Sequence, residues 1–598
     1  MPQPRHPIFD HPVANRLRSL LQGLRPSEHT AVMGMAMVVG LLGGFGNILY
    51  RRMIELVHRV VFEGGGELLN LERGWPWLLL LPLLPMVGAV LLIPLAALFP
   101  GEVRGYGLPK FLEAVNLKGA VFRARTVVVK SVASAITIGS GGSAGTEGPI
   151  AQIGGAIGSL VGQALNVGQD RLRTLVACGV AAGIGGTFNA PIAGVFFAHE
   201  LVLCRSFVTS SFVPVVISSG LGAMVTRAVE GNRPAFQVPH YLLRTPWEAL
   251  LYVPLGILVG LAAVHFIRSF YSLTDRFQAW GAPGWFKPVV GAALAGTLGI
   301  AFPQVMGDGY HHVELALAGQ LTGWALVLVA LAKMYATGFT LGSGNAGGVF
   351  APSLVIGAML GGAYGWAMDL LFPGFAAGPG SYALVGMGGF LAAATHAPMT
   401  AIFLIFEMTG EYTVIVPIMF ACVIGYSVSR WLQPDSIDHL ELTRRGIHLE
   451  EGRETNVLKS IQVGTLMTRQ VESFPESTPL GVMLRAIPSS RHVTFPLVDE
   501  AGKLSGIISL QDFREVAYEE GLADLVVAGE LGTREVITVF PDDSVHDALA
   551  RIGYRNIEHL PVVSRADPRE ILGMLSRQDI LSAYNKALID RSLRAPEG

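Results

Sequence analysis

An all-α polytopic membrane protein with a soluble α/β region at its C-terminal end is the fold class that the sequence predicts, on three observations. Hydrophobic residues make up 51% of the 598 residues and charged residues only 15%, whereas about 25% of residues in a soluble domain are charged. The 73 glycines suit close packing of membrane helices. Charge is concentrated at one end, since 34 of the 138 residues from 461 to 598 are charged, against 54 of the other 460.

Composition also excludes several classes of function. The formal net charge of −2 offers no basic surface for nucleic acid. The three cysteines, Cys178, Cys204 and Cys422, fall in apolar stretches and are too few for a disulfide framework or a zinc site. We therefore expect small buried cysteines, no metal and no nucleic acid partner.

Between residues 31 and 433, apolar runs follow one another with little interruption. They cover roughly 31–49, 76–99, 124–138, 149–165, 171–204, 210–226, 247–270, 287–303, 323–341, 353–372, 382–406 and 412–432. Several runs are too short to cross about 30 Å of hydrocarbon upright. They predict tilted, re-entrant or broken helices, which survive at membrane depth only where protein or a water-filled cavity covers the backbone.

Residues 1–30 predict a cytoplasmic amphipathic helix rather than a signal peptide. Arg5, Arg16, Arg18 and Arg25 lie among leucines, and no cleavable hydrophobic core precedes residue 30. Because cytoplasmic segments are enriched in positive charge, we expect a multi-pass protein of the cell (inner) membrane with both termini in the cytoplasm.

The membrane region contains an internal duplication. Residues 139–158 align without gaps to 342–361 with 8 identities in 20, and 179–200 align to 386–407, so the offsets are 203 and 207. In the second pair, each segment has Ala-Pro, then Phe five residues and Glu nine residues after the proline. Nearly equal offsets in separate segments indicate one duplicated unit. In transporters such a duplication places the binding site between the two halves.

Three Gly-x-x-x-Pro segments, Gly105–Pro109, Gly145–Pro149 and Gly348–Pro352, predict an anion site. Proline suits the first turn of a helix because its φ is fixed and it lacks an N–H group. Glycine just before that turn lets the backbone approach a ligand closely. The free N–H groups and the positive dipole end of a helix bind an anion without a full positive charge. An anion held by partial charges can leave again, as conduction requires.

Glu147 lies inside the second of these segments. An ionisable side chain beside a helix N-terminus at membrane depth is a functional candidate. Its carboxylate could fill the place of the anion, and protonation would release it. The alternative is a helix-capping glutamate without a gating role.

Other ionisable residues are interpreted differently. Glu200 and Glu407 occupy matched positions in the duplication, which favours a structural role in bonding backbone N–H groups. We expect Lys130 to contribute its electric field or a buried pair rather than a transported charge. His311 and His312 fall in a Gly-Asp-Gly-Tyr-His-His-Val stretch that we interpret as a loop without a metal.

Together these segments resemble the CLC family of chloride channels and chloride/proton exchangers, over about residues 30–445. The family's G-S-G-I-P, G-[RK]-E-G-P and G-x-F-x-P segments match Gly105–Pro109, Gly145–Pro149 and Gly348–Pro352. The resemblance implies that Glu147 is the outer gating glutamate. It also implies a homodimer with one pore per subunit, built from two inverted halves of tilted, broken helices. The anion-binding residues that it implies are Tyr106, Gly107, Leu108, Pro109, Thr146, Gly148, Val349, Phe350, Ala351 and Asp438.

Two of the implied ligands depart from the pattern of the family. Tyr106 stands where the family usually has a serine whose hydroxyl binds the central anion. Asp438 stands where a tyrosine normally closes the inner end, and an aspartate there would repel an anion unless it is protonated or turned away. Residues 434–442 resemble the family's last pore helix. We hypothesise that the phenol of Tyr106 replaces both missing hydroxyls and that Asp438 caps this helix.

A third departure concerns protons. Exchangers of this family commonly have an inner glutamate directly after the residue that matches Glu200, and here that residue is Leu201. Leucine cannot carry a proton, which favours a gated chloride channel. The alternative is a chloride/proton antiporter in which His199, Asp438 or water relays the proton.

The soluble tail is duplicated as well, since Gly506–Asp512 matches Gly573–Asp579 at an offset of 67. The predicted helices cover 481–487 and 544–553, and the predicted strands cover 493–498, 504–508, 559–563 and 571–575. The two copies resemble paired CBS domains, which implies that an adenine nucleotide (ATP, ADP or AMP) binds. The residues implied are Ser509, Asp512, Ser576 and Asp579. Equally open is that the two aspartates only cap the helices that follow.

The sequence thus predicts five segments. They are an N-terminal helix over 1–30, a CLC anion-transport domain over 31–445, a linker over 446–462, and CBS domains over 463–522 and 523–588. The predicted function is gated transport of chloride or a similar small anion, adjusted by the CBS pair, without a required cofactor. A nucleotide-regulated intramembrane enzyme or receptor is the remote alternative, because the sequence offers no Ser/His/Asp or His-Glu-x-x-His arrangement.

Overall fold

The computed structural model describes residues 28–583, apart from gaps at 104, 205–206, 232–235, 237–245, 374–377, 411, 450–457, 459–460, 487–489, 491, 514–524 and 556. The chain forms two compact units, Met1–Leu449 and Glu450–Gly598. The helix predicted over 1–30 lies outside the described residues, apart from its last three residues, which belong to a helix that begins at Glu28. Part of the linker predicted over 446–462 lies outside them too.

Among the described residues of the first unit, the regular elements are helices, joined by turns and loops. In chain order the helices are α1 (Glu28–Val57), α2 (Gly64–Leu68), α3 (Leu83–Leu98), α4 (Leu108–Leu117), α5 (Ala124–Gly139), α6 (Glu147–Ala164), α7 (Gln169–Phe188), α8 (Pro191–Phe197), α9 (Thr209–Glu230), α10 (Tyr252–Ala279), α11 (Phe286–Ala301), α12 (Tyr310–Leu317), α13 (Ala325–Gly342), α14 (Phe350–Leu371), α15 (Pro379–Thr395), α16 (Pro398–Thr409), α17 (Ile415–Leu432) and α18 (Leu440–Arg444). Among the described residues, 7 helical stretches are long and apolar enough to cross a membrane, and shorter apolar helices lie beside them. This mixture confirms the predicted all-α region with broken helices.

Two of the predicted apolar runs, 171–204 and 382–406, are each broken into two helices. Asn189 follows α7 and His396 follows α15, and both adopt the left-handed conformation, with φ of 55° and 56°. Ala-Pro comes next in both cases, and the proline begins α8 or α16. Because proline cannot continue a helix but suits its first turn, the duplicated Ala-Pro motif accounts for both breaks.

Glycines bring the long helices into backbone contact at matching places in the two halves. A Cβ atom on Gly154 of α6 would overlap the carbonyl oxygen of Gly179 of α7. At the corresponding place in the second half, a Cβ atom on Gly357 of α14 would overlap the carbonyl oxygen of Gly386 of α15. Small residues permit such close packing in a membrane, where helices cannot rely on the hydrophobic effect to associate. The duplication therefore extends from the sequence to the packing.

The second unit contains two copies of a small α/β motif. Its strands are β1 (Phe474–Pro475), β2 (Thr494–Val498), β3 (Leu504–Ser509), β4 (His559–Val563) and β5 (Ile571–Ser576), and its helices are α19 (Leu480–Ala486), α20 (Leu510–Phe513), α21 (Ala528–Leu531) and α22 (Val545–Arg555). β2 pairs in parallel with β1 and antiparallel with β3, and β4 pairs antiparallel with β5. The predicted strands and the two longer helices are confirmed to within two residues.

One expectation about the fold is wrong. His311 and His312, interpreted as loop residues, lie in the helix α12. Gly309 precedes this helix in the left-handed conformation, with φ of 85°, and the Asp308 carboxylate accepts the Tyr310 N–H at 3.2 Å. The aspartate accepts a backbone N–H group at the helix start, and the glycine allows the chain to turn just before it. The Asp-Gly pair therefore precedes a helix and not a loop.

Candidate functional site

The three Gly-x-x-x-Pro segments meet in space. Gly145 and Gly348 exchange two backbone hydrogen bonds of 2.7 and 2.9 Å, which join the corresponding turns of the two halves. The Gly105 N–H donates to the Gly344 carbonyl at 3.0 Å, so the third segment joins the same cluster. A Cβ atom on Gly148 would lie 3.1 Å from the Gly348 Cα atom, so these turns approach as closely as glycine allows.

Three helices begin at this cluster and border one small cavity. They are α4, which begins at Leu108, α6, which begins at Glu147, and α14, which begins at Phe350. The residues that line the cavity are Tyr106, Leu108, Glu147, Gly148, Phe197, Leu201, Val349, Phe350, Thr395 and Asp438. Of the other residues implied as anion ligands, Gly107, Pro109, Thr146 and Ala351 lie in the same segments, next to lining residues. Three helix starts, with their positive dipole ends, thus lie at one buried space, an arrangement suited to an anion.

Glu147 is fully buried, and its carboxylate is bound by three donors. The Thr146 hydroxyl donates to Oε1 at 2.9 Å, and the Ala351 N–H donates to Oε2 at 3.1 Å. The Tyr310 hydroxyl also donates to Oε1. Since Ala351 lies in the first turn of α14, the Glu147 carboxylate binds one of the backbone amides at this helix start.

Tyr310 and Lys333 are parts of this site that the sequence analysis missed. Tyr310 packs edge-on against Phe188 and Phe236, with ring centroids 6.4 and 5.5 Å away. Lys333 is fully buried, and its ammonium group donates to the carbonyl oxygens of Val305 and Gly307 at 3.0 and 2.9 Å. These bonds fix the turn before α12, and so they fix the phenol of Tyr310 beside Glu147.

Asp438 and Tyr106 are in direct contact. The Tyr106 hydroxyl donates to Oδ1 of Asp438, whose side chain is 1% exposed. The last helix, α18, begins only at Leu440 and has no side-chain cap at its start. The expectation that Asp438 caps this helix is therefore wrong, because its carboxyl group turns toward Tyr106 instead.

Lys130 lies at the edge of the site. A Cβ atom on Gly107 would lie 2.7 Å from the Lys130 ammonium nitrogen and 2.8 Å from Oε1 of Gln152. The ammonium group is therefore packed against the backbone that precedes α4, although Lys130 does not line the cavity. Its position fits the expected contribution of electric field.

Glu200 and Glu407 hold the two halves together by a reciprocal exchange. Glu200 accepts the N–H groups of Met399 and Thr400, at 3.0 and 2.7 Å, in the first turn of α16. Glu407 accepts the N–H groups of Ile192 and Ala193, at 3.0 and 2.8 Å, in the first turn of α8. The structural role expected for this pair is confirmed, since each carboxylate caps the helix start of the other half.

The two residues considered for proton transfer near Glu200 differ in position. Leu201 is 1% exposed and lines the cavity. His199 is buried, but it stacks on Phe207 with ring centroids 5.2 Å apart and is not among the lining residues. Leucine therefore occupies the position next to the cavity, and the histidine faces other side chains.

In the second unit, Asp512 accepts the Ser509 N–H and hydroxyl at 2.7 and 2.9 Å, and Asp579 accepts those of Ser576 at 3.1 and 2.6 Å. Both aspartates thus satisfy helix starts, as the capping alternative requires. The two Ser-Asp turns are connected through strand partners, because Thr494 pairs with Ser509 and His559 pairs with Ser576.

The strand partners also meet each other. The Thr494 hydroxyl and Nδ1 of His559 lie 3.1 Å apart, which joins equivalent positions of the two copies. Burial lowers the pKa of His559 below its usual value, so the imidazole is neutral at neutral pH. The two Ser-Asp turns are therefore linked by a row of four neighbouring residues that crosses from one copy of the motif to the other: Ser509, Thr494, His559 and Ser576.

Comparisons with known proteins agree with these two regions. The family described as "Voltage gated chloride channel" matches residues 87–430, and the CBS domain family matches 463–519 and 528–586. A ClcB-like chloride channel protein of Ralstonia nicotianae is 35% identical over 408 residues, which cover 66% of this chain and 92% of that protein.

Exchangers are similar to the chain as well. The H⁺/Cl⁻ exchange transporter ClcA of Salmonella agona is 32% identical over 425 residues, which cover 68% of this chain and 87% of that protein. The crystal structure of a slow cyanobacterial Cl⁻/H⁺ antiporter has a TM-score of 0.63 and 28% identity, and the match covers 69% of this chain and 97% of that one. The relatives therefore include proteins named as channels and proteins named as exchangers.

Proposed function

The chain belongs to the voltage-gated chloride channel (CLC) family, and we propose that it transports chloride or a similar small anion through the cavity that Glu147 lines. One observation carries the proposal: the Glu147 carboxylate accepts the Ala351 N–H, 3.1 Å away, in the first turn of α14. A carboxylate bound to a helix-start amide in a buried cavity stands where the fold can bind a free anion.

Glu147 is proposed to act as the gate. When it is ionised, its carboxylate competes with the anion for the amide of Ala351 and repels the anion from the cavity. When it is protonated, the charge-assisted hydrogen bonds are lost and the side chain can leave. The alternative, a glutamate that only caps α6, predicts anion flux that does not depend on this side chain.

The anion is proposed to bind between the three helix starts. Its ligands are drawn from Tyr106, Gly107, Leu108, Pro109, Thr146, Gly148, Val349, Phe350, Ala351 and Asp438. Most of these offer backbone dipoles and not a full positive charge, which supports weak binding and rapid release. Phe197 and Leu201 add apolar surface to the lining of the cavity.

Purified full-length protein in liposomes tests the transport proposal. Liposomes loaded with chloride should release it when an added potassium ionophore dissipates the membrane potential. A Gly348→Leu variant, which places a side chain where Gly148 packs, should abolish release, because a Cβ atom there would lie 2.8 Å from the Gly148 nitrogen. Folded wild-type protein that releases no chloride would contradict the proposal.

We propose a gated channel in preference to a proton-coupled antiporter. The support is Leu201, which lines the cavity and has no group that can bind a proton. In the same liposomes, an outward chloride gradient should move chloride without driving protons uphill. Uphill proton movement would establish the antiporter instead.

The CBS pair is proposed to bind an adenine nucleotide through Ser509, Asp512, Ser576 and Asp579. The row of strand residues that connects the two Ser-Asp turns supports one shared cleft. If the proposal holds, ATP, ADP or AMP raises the melting temperature of the purified protein. Asp512→Asn and Asp579→Asn should each remove this protection, whereas Asp542→Asn, an exposed carboxylate paired with Arg565, should keep it. Equal protection in all variants would leave only the capping role.

Assembly and location are also proposals. We propose a homodimer in the cell membrane with both termini of each chain in the cytoplasm. Along each chain, the proposed boundaries are 31–445 for the transport domain, 446–462 for the linker, and 463–522 and 523–588 for the CBS domains. Single-molecule photobleaching should give two steps per complex. Protease added outside right-side-out cells should leave tags at both termini intact, and cleavage of either tag would contradict the orientation.

A further inference from the structure

We propose that Asp438 is a proton-binding site that must be protonated for an anion to bind beside it, so that a proton and an anion occupy this part of the cavity together. The inference rests on the proposed anion transport and goes beyond it, because it assigns a second ionisable ligand to the same cavity.

The position of Asp438 is the first argument. Its side chain is 1% exposed, and it lines the same cavity as Glu147. Oδ1 accepts the Tyr106 hydroxyl, whereas Oδ2 is buried and has no hydrogen-bond partner among the described residues. An acceptor oxygen without a donor in a buried space is costly and calls for a ligand or a proton.

The number of O–H donors is the second argument. With Asp438 ionised, the single proton of the Tyr106 hydroxyl is given to the carboxylate, so neither side chain has a donor left for an anion. With Asp438 protonated, the pair has two O–H groups. One of them can bond the partner side chain while the other points to the anion. Protonation thus converts a negatively charged acceptor pair into a neutral donor pair.

Charged residues that lie near Asp438 in the chain do not add a hydrogen-bond donor to its carboxyl group. The ring of His439 is hydrogen-bonded to the Ser436 hydroxyl at 2.9 Å. Glu441, on the other side, lies 3.9 Å from the Arg445 guanidinium. Within the described contacts, none of these side chains bonds to Asp438.

Charged neighbours on the packed helices are likewise engaged elsewhere. From α4, Glu113 pairs with Lys118 at 2.7 Å and with Arg445 at 3.0 Å. From α10, Asp275 pairs with Arg444 at 2.9 Å. Among the described residues, these ion pairs leave Asp438 without a bonded cation.

The remaining neighbours are a phenol and an ammonium group. Tyr271 of α10 donates its hydroxyl to the Ile437 carbonyl at 2.7 Å, and so it does not donate to Asp438. From α5, the Lys130 ammonium group is packed against Gly107 rather than bonded to the carboxyl group. Among the described contacts no cationic side chain neutralises Asp438, so the proposal assigns this task to a proton that is taken up when an anion binds.

Anion binding and proton binding at Asp438 must affect each other equally, and this has a functional consequence. If an anion binds only when Asp438 is protonated, then the bound anion must raise the proton affinity of Asp438 by the same factor. Anion binding would therefore take up protons from solution at the Asp438 carboxyl, independently of Glu147. Leu201 cannot provide this linkage, because it has no titratable group.

Proton uptake on anion binding tests the inference directly. Purified full-length Glu147→Gln protein in weakly buffered detergent solution receives sodium chloride while a pH indicator reports free protons. This variant removes the proton that Glu147 would take up when an anion displaces it. Chloride should still be accompanied by proton uptake in Glu147→Gln, and the uptake should be lost in Glu147→Gln/Asp438→Asn.

A matched control is available in Glu248. This carboxylate is fully buried and lies 3.4 and 3.2 Å from the hydroxyls of Tyr252 and Tyr382, but it is not among the lining residues. Glu147→Gln/Glu248→Gln should take up as many protons as Glu147→Gln. If this control lost the uptake as well, the effect would not belong to Asp438 and the inference would fail.

Calorimetric titration of chloride on the same samples separates the two proposals. Failure of wild-type and Glu147→Gln protein to bind chloride would overturn the proposed transport site. Chloride binding to Glu147→Gln without proton uptake at any pH from acidic to alkaline would overturn the inference alone. This second outcome needs no Asp438 variant, so a misfolded double variant would not prevent the decision.

Discussion

Two tyrosine-carboxyl pairs lie at one cavity, which both carboxyl groups line, and the pairs are built differently. Glu147, paired with Tyr310, accepts three hydrogen bonds and occupies a helix-start amide. Asp438, paired with Tyr106, accepts one hydrogen bond and leaves Oδ2 without a donor among the described residues. The comparison teaches that the same two functional groups can surround a carboxylate with donors or leave one of its oxygens without a donor among the described residues.

The difference in donors is large enough to separate the two roles. A hydrogen bond to a charged group contributes about 1.5–3 kcal/mol net. Two additional donors therefore favour the ionised form of Glu147 over that of Asp438 by roughly 3–6 kcal/mol, before other differences in surroundings are counted. This difference supports the two proposed roles, in which Glu147 is a plug that competes with the anion and Asp438 is a ligand that needs a proton.

Among substitutions at the two pairs, replacing Glu147 has the largest expected effect, which is on chloride flux. Glu147→Gln cannot ionise, so the plug loses its competition for the Ala351 amide. We expect chloride flux at neutral pH to rise on the order of tenfold, which corresponds to about 1.4 kcal/mol. The pH dependence that arises from Glu147 should disappear, as measured by efflux from liposomes between pH 5 and 8. An unchanged pH profile would refute the gating role.

Removing the phenol beside Glu147 has the next largest expected effect. Tyr310→Phe removes one donor to the carboxylate, worth about 1.5–3 kcal/mol. Since about 1.4 kcal/mol corresponds to one pH unit, the pH of half-maximal flux should rise by roughly one to two units. Chloride efflux measured as a function of pH reads this midpoint directly.

Tyr50→Phe is the matched control for the loss of a buried phenol. The Tyr50 hydroxyl donates to the Ser134 hydroxyl at 2.9 Å and bonds to neither carboxyl group. Its removal should leave the midpoint unchanged. If Tyr310→Phe behaved like Tyr50→Phe, the hydrogen bond from Tyr310 would play no part in holding the gate.

The Asp438 pair gives the smallest expected effect, through Tyr106. Tyr106→Phe removes one neutral donor from the proposed anion site, worth about 0.5–1.5 kcal/mol. Chloride affinity should fall roughly two- to tenfold. Calorimetric titration measures this affinity, again with Tyr50→Phe as the control. Wild-type affinity and flux in Tyr106→Phe would show that the phenol does not replace the missing hydroxyls.

Much of the fold could be predicted from residue patterns because the duplication repeats local rules. Ala-Pro breaks a helix in each half, and Gly-x-x-x-Pro begins one. The matched positions of Glu200 and Glu407 indicated a structural role, and each caps a helix start of the other half. These features depend on short segments and on symmetry, which a single sequence displays.

The contacts that define the two carboxyl pairs could not be predicted in this way. Tyr310 is 163 residues from Glu147, and Tyr106 is 332 residues from Asp438. No local spacing connects such residues, and Tyr310 lay in a stretch that resembled a loop. The coincident substitutions at Tyr106 and Asp438 did indicate a connection, but not that the phenol donates to the aspartate.

Anomalous diffraction from crystals of Glu147→Gln soaked in bromide tests the central claim most directly. The account predicts a bromide peak in the cavity within hydrogen-bond distance of the Ala351 nitrogen, where the wild-type carboxylate lies. The same soak of wild-type crystals at neutral pH should give a weaker peak there, because the carboxylate competes. Bromide that is absent from this cavity in the variant, or equally strong in both proteins, would contradict the claim that Glu147 occupies the place of the anion.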